Sequence, residues 1–154
     1  MYSECRLCER KCRVNRSIGK IGFCQSYALP RVSLAALHFY EEPIISGERG
    51  SGAIFFSGCS LACSYCQNSE ISRAPVGKET DADGLSSIML ELQNKGAHNI
   101  NFVTPTHFAP NIKASVALAR AKGLDIPIVY NTGTFDTVET VRSLSNTVDV
   151  YLAD

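Results

Sequence analysis

Phe55-Phe56-Ser57-Gly58-Cys59-Ser60-Leu61-Ala62-Cys63-Ser64-Tyr65-Cys66-Gln67-Asn68 sets three cysteines directly after a short apolar strand, with the spacing C-x3-C-x2-C. Structural zinc sites and ordinary iron-sulfur clusters are held by four protein ligands. A compact trio therefore points to a metal centre with one position left for substrate. Three other readings compete. A disulfide role is disfavoured because the trio is odd in number and because Met1 to Lys11 is polar, charged and already holds two cysteines, unlike a secretory leader. Zinc closed by a distant His98 or His107 would make a Cys3His site. Chance spacing is the third.

The whole chain sets the frame for that centre. Its 154 residues suit one domain of ordinary size, and 45% hydrophobic content is enough for a real core. Fifteen basic residues balance fifteen acidic ones, so no global charge draws the chain to nucleic acid or to an anionic membrane. No apolar run approaches the ~18 residues needed to cross a bilayer, and a cytoplasmic location is expected. Seven cysteines in a reducing compartment read as metal ligands or redox groups before they read as staples.

Four of the seven form a second cluster, separate from the first in sequence. Cys5, Cys8 and Cys12 are followed by Cys24, after Gly19 and Gly22. C-x2-C spacing lets one tight turn present two sulfurs to one metal, and the glycines free the later loop to bring in Cys24. A zinc knuckle and an auxiliary iron-sulfur cluster both fit. Arg6, Arg10, Lys11, Arg13 and Arg16 crowd the same segment. Without interleaved aromatics they read as a solvated basic face rather than a nucleic-acid site.

Arg31 to Tyr40 carries Val32, Leu34, Leu37 and Phe39, which fit a strand or a short helix; His38 in that setting is a packing residue rather than a ligand. Glu41-Glu42-Pro43 breaks any regular element. Ser46 to Gly52 reads as a glycine-rich linker into a strand at 53–57, and no G-K-[ST] follows to make it a phosphate loop. Beyond the trio the pattern alternates. Leu85, Ile88, Met89 and Leu92 recur at helical spacing, with Asp81 or Asp83 as N-cap and Gly96 as the stop. A strand at 99–103, a helix at 109–122 opened by Pro110 and closed by Gly123, and a strand at 126–130 follow. Asp136 and Glu139 have capping-box spacing for a third helix, and 148–152 gives a further strand. Strand and helix in alternation predict right-handed crossovers and a parallel sheet.

The cysteine trio, with Tyr65 completing the pattern C-x3-C-x-aromatic-C, resembles the radical S-adenosylmethionine (SAM) enzymes, and more narrowly the family related to pyruvate formate-lyase activating enzyme. That resemblance implies an α/β fold: a partial (βα) barrel of the radical SAM type, truncated after about four strands, with residues 51–154 as the core and 1–50 as a small Cys-rich segment and linker. It implies that Cys59, Cys63 and Cys66 hold three irons of a 4Fe-4S cluster, whose fourth iron chelates the amino and carboxylate groups of SAM. Gly58 would let the backbone turn out of the strand, and Tyr65 would lie beside the adenine. The family often carries an N-terminal cysteine cluster, here Cys5, Cys8, Cys12 and Cys24, as a second metal site holding zinc or iron-sulfur.

Ligands in such barrels sit at the carboxyl ends of the strands. The residues expected there are the trio, Thr104-Pro105-Thr106-His107, Asn131-Thr132-Gly133 and Asp154. The family often has a Gly-Gly-Glu type motif after the second barrel strand to hold the methionine amino group. Thr-Pro-Thr-His stands there instead, so Thr104 or Thr106, with backbone carbonyls, takes that role. His107 is read as a proton shuttle or substrate contact, with a surface loop histidine as the equal alternative; Asn131 and Thr132 equally suit a turn. The implied reaction starts with one electron from flavodoxin or ferredoxin, cleaves SAM to methionine and a 5′-deoxyadenosyl radical, and abstracts a hydrogen atom. An activase-like role would make the donor a glycyl residue of another protein. A non-catalytic iron-sulfur electron carrier and a zinc-stabilised binding module are the alternatives. Ending on a strand at Ala153-Asp154, the chain is expected to lack the last two strands of a six-stranded partial barrel.

Overall fold

The computed structural model describes residues 1–153; Asp154 lies outside them. Its centre is a six-stranded sheet in the order β3-β1-β2-β4-β5-β6. The strands are β1 (Arg31–His38), β2 (Ser51–Phe56), β3 (Lys78–Glu79), β4 (Ile100–Val103), β5 (Ile128–Thr132) and β6 (Val150–Ala153). β2, β4, β5 and β6 run parallel, as strand-helix alternation requires. β1 pairs antiparallel with both β2 and β3. The segment whose pattern fitted strand or helix is thus a strand, and residues 31–38 of the Cys-rich N-terminal part join the main sheet.

Two 13-residue helices, α3 (Ala82–Asn94) and α4 (Ala109–Ala121), cross between the parallel strands. Asp81 caps α3 by accepting a hydrogen bond from the Gly84 amide at 2.8 Å, and Gly96 follows its end in the left-handed region, at φ +93°. Pleating explains the core. Ile54, Phe56, Ile100, Phe102, Ile128 and Tyr130 alternate along three strands and are all buried. They form one apolar cluster with Leu85, Met89 and Leu92 of α3 and Ile112, Val116 and Ala119 of α4. Phe56 stacks on Phe102 at 6.0 Å and meets Phe108 at 5.3 Å.

Three local readings are corrected. Glu41-Glu42-Pro43 does not only end β1: Pro43 starts the one-turn helix α1 (Pro43–Ser46), where its missing N–H costs nothing. The glycine-rich stretch behind it is already β2 from Ser51. The last helix, α5 (Val138–Ser143), is capped by Thr137, whose hydroxyl accepts from the Thr140 amide. Asp136 is occupied elsewhere, accepting hydrogen bonds from Tyr130 Oη and Thr132 Oγ1.

No helix among the described residues is long and apolar enough to cross a membrane.

Candidate metal centre at the carboxyl end of the sheet

The trio loop leaves β2 at the carboxyl end of the parallel strands. Gly58 makes the turn at φ +84°, and a β-carbon there would overlap the Cys24 carbonyl oxygen and lie 2.5 Å from Ser26 Oγ. Only glycine lets the loop pass this close to the N-terminal segment. Cys59 is buried, and its sulfur accepts a hydrogen bond from the Leu61 amide at 3.3 Å. Cys63 and Cys66 are half-buried. The Cys66 amide donates to the Cys63 carbonyl, and the Cys66 sulfur sits 3.5 Å from Ser72 Oγ, on the one-turn helix α2 (Ser69–Ser72) that follows. Tyr65 is 86% exposed.

After β4, Thr104 takes the left-handed conformation, φ +54°, and its amide donates to the Asn131 carbonyl at the same level of β5. Thr106 and His107 are both buried in a 3-10 turn, Thr106–Phe108. His107 is therefore no surface histidine. Its ring Nε2 is 3.0 Å from the Ser57 carbonyl, an acceptor, so this nitrogen carries the proton. The other ring nitrogen, Nδ1, is buried with no partner among the described residues. Burial holds the imidazole neutral, with a pKa lowered to about 3, against the Ser57 hydrogen bond and with the help of the nearby Arg16 charge. The ring ties β4's end to the start of the trio loop. On β5, Asn131 is half-buried and Thr132 is engaged with Asp136.

The N-terminal segment, separate from the trio in sequence, is docked on the same end of the sheet. It folds back on itself through Cys5 N to Val14 O and Arg13 N to Cys5 O. It pairs with the loop after β5, through Glu9 N to Phe135 O and Thr137 N to Leu7 O. Its arginines are not one solvated face. Arg6 and Arg13 are exposed near Glu4, but Arg10 lies 3.4 Å over the Phe23 ring and donates to the carbonyls of Ser60 and Leu61 in the trio loop. Arg16 is 1% exposed and donates to the carbonyls of Ser26, Tyr27 and His107, with the Cys5 sulfur 3.9 Å away. Sequence reasoning missed both roles. The aromatics that receive these cations come from Tyr2, Phe23 and Phe108, so no local run of interleaved aromatics betrayed them.

The four N-terminal cysteines are neighbours. Burial raises the Cys8 thiol pKa, and Cys24, Cys5 and Cys12 push it further the same way; burial likewise raises Cys24, against the Arg16 charge. The Cys12 sulfur lies beside Gly22. Among the described residues, however, no three Cys, His, Asp or Glu side chains are gathered at metal-binding geometry. His98 is at the other end of the sheet, before β4, bonded to Arg49 and packed on Gly47, so it cannot complete the trio. His38 meets the rings of Tyr40 and Phe55, the packing role expected of it.

The sequence model of the Radical SAM superfamily matches residues 53–153. That range starts in β2 and runs through the trio to the end of β6. The uncharacterized protein MJ0674 of Methanocaldococcus jannaschii is 32% identical over 165 residues, covering 100% of this chain and 46% of the relative. The chain thus spans about half the length of that relative. No solved structure gives a significant match. A cysteine trio at the carboxyl end of the first parallel strand, on a mixed α/β sheet that the family model spans, places the chain in a known group: it belongs to the Radical SAM superfamily.

Proposed function

We propose that the chain carries the cluster-binding part of an enzyme that reductively cleaves SAM, with Cys59, Cys63 and Cys66 as the three ligands of a 4Fe-4S cluster. The observation that carries this is the loop itself: three cysteines and no carboxylate between Gly58 and Gln67, at the end of a parallel strand, with one sulfur already receiving a backbone N–H. Thiolate ligands with N–H donors suit iron-sulfur chemistry. When bound, the cluster and SAM supply a one-electron cleavage of a carbon-sulfur bond that yields a 5′-deoxyadenosyl radical.

The chain's residues bind, orient and exclude water. Gly58 fixes the exit of the loop, and His107, neutral and buried, holds the Ser57 carbonyl in place rather than moving a proton at the surface. Thr104 and Asn131, half-buried at the ends of β4 and β5, offer a hydroxyl and a side-chain amide to the methionine part of SAM, while Thr106 is buried beneath them with its hydroxyl bonded to Tyr130. Tyr65, exposed on the loop, is free to stack on the adenine.

An activase-like reaction on a glycyl residue of a protein substrate is the finer reading, resting on the C-x3-C-x-aromatic-C pattern and the N-terminal cysteines; a low-potential flavodoxin or ferredoxin in the cytoplasm would supply the electron. A second metal, zinc or iron-sulfur, at Cys5, Cys8, Cys12 and Cys24 fits the electrostatics of this structure. Arg16 is a buried cation whose hydrogen-bond partners among the described residues include no carboxylate, next to Cys5 and Cys24. A buried charge needs an opposite one nearby, and a tetrathiolate metal site is anionic.

The test is anaerobic reconstitution with iron and sulfide, then dithionite and SAM. 5′-Deoxyadenosine and methionine in the products support the assignment. A reconstituted 4Fe-4S protein that leaves SAM intact would make it the electron carrier, and uptake of zinc alone would make it the binding module.

A further inference from the structure

Two guanidinium groups hold the backbone of the trio loop. Arg10 donates from Nε to the Ser60 carbonyl at 2.6 Å and from Nη2 to the Leu61 carbonyl at 3.2 Å. Arg73, just after α2, donates from Nη2 to the carbonyls of Ala62 at 3.2 Å and Cys63 at 2.6 Å. Four consecutive carbonyls, from Ser60 to Cys63, are thereby turned toward two cations. Ala62 is held at φ +58°, a conformation that is strained for a non-glycine residue and persists only where surroundings fix it.

The two arginines reach the loop from opposite directions in sequence. Arg73 comes from the segment that leaves the trio. Arg10 belongs to the N-terminal cysteine segment, and its position is set by the Phe23 ring at 3.4 Å and the Phe135 ring at 5.6 Å. The pairing of Glu9 with Phe135 anchors the same turn. Docking of the N-terminal segment therefore bears directly on the loop between the first and second cysteines of the trio.

We infer that Arg10 and Arg73 are positioning residues for the cluster held by the trio, a clamp that fixes the loop backbone and sets two positive charges beside it. Neither touches a cysteine sulfur. Outer-shell groups orient metal ligands, and net charge around an iron-sulfur cluster tunes its potential. A nearby cation favours the form with one more electron. The clamp thus makes the cluster easier to reduce, and it lets the N-terminal segment, through Arg10, set how easily.

The inference rests on the 4Fe-4S reading of the trio, and the experiment separates the two. Hydrogen exchange of the 59–66 segment is followed in the metal-free full chain for wild type, Arg10→Ala, Arg73→Ala and the control Arg6→Ala, whose side chain is exposed beside Glu4. Faster exchange in the first two variants and none in the control is expected. The midpoint potential of the reconstituted cluster is then measured by EPR-monitored titration. Each alanine variant should lower the reduced-to-oxidised ratio at a fixed potential threefold to tenfold, a tenfold change being 59 mV for one electron. The shift should shrink in high salt, since both side chains are partly in water. Arg10→Lys should keep most of the potential, because it keeps the charge, while losing loop protection, because an ammonium lacks the planar fork. Wild-type exchange and wild-type potential in both alanine variants would overturn the clamp. Failure of the wild-type chain to take up any 4Fe-4S cluster would sink the reading of the trio instead, with the exchange data still deciding whether the arginines hold the loop.

Discussion

Lowering the pH should weaken this fold through His107. In the folded chain the ring is buried and its pKa lies near 3, against ~6.5 for an unfolded histidine. The folded state therefore binds fewer protons between these values, and stability falls as pH falls. The contribution is fully present above pH 6.5 and is lost progressively toward pH 3. At pH 5 the unfolded imidazole is about 1.5 pH units below its pKa, which at 1.36 kcal/mol per unit amounts to a loss of about 2 kcal/mol. The physical cause is local: burial disfavours the charged ring, Nδ1 has no partner among the described residues to receive a second proton's charge, and the Arg16 guanidinium sits close by. Urea unfolding of wild type and His107→Gln between pH 7.5 and pH 5 isolates the effect from every other titrating group. The glutamine amide can still donate to the Ser57 carbonyl, so the variant should fold, and its pH slope should be shallower by that amount. Parallel slopes for the two proteins would refute the buried neutral imidazole.

Gly58→Ala should cost about 2–5 kcal/mol in urea unfolding, because it forces a left-handed non-glycine residue and drives a methyl into the Cys24 carbonyl. Loss of the contact should also expose Cys24 to thiol reagents. Arg16→Met keeps the apolar stem but leaves the carbonyls of Ser26, Tyr27 and His107 without their donor. A loss of roughly 3 kcal/mol is expected, together with faster labelling of Cys5 and Cys24; unchanged labelling would show that Arg16 does not hold the segment down.

Much of the sheet was legible in the sequence because each parallel unit carries its own punctuation. Asp81 caps α3, Gly96 and Gly123 close α3 and α4, and Pro110 opens α4. β1 was ambiguous because Val32, Leu34 and Leu37 fit both a period of two and a helical turn, and its antiparallel pairing is set by its partners β2 and β3 rather than by its own residues. Asp136 passed for a cap because Thr137 beside it has the same capping chemistry; only the tertiary partners Tyr130 and Thr132 separate them. The trio's place at the carboxyl end of the first parallel strand was legible, because its cysteines follow directly on the apolar run that forms β2. The shell around it was not, since Arg10 reaches Ser60 and Arg16 reaches His107 across long stretches of chain, and an arginine's letter does not tell whether it ends in water or on a carbonyl.

The most direct measurement is a count of 4Fe-4S clusters by Mössbauer spectroscopy in the anaerobically reconstituted chain, compared with the chain in which Cys59, Cys63 and Cys66 are all replaced by alanine. The account predicts the loss of about one cluster per chain, each thiolate anchoring one iron, with any metal at Cys5, Cys8, Cys12 and Cys24 retained. An unchanged cluster count in the triple variant would contradict it.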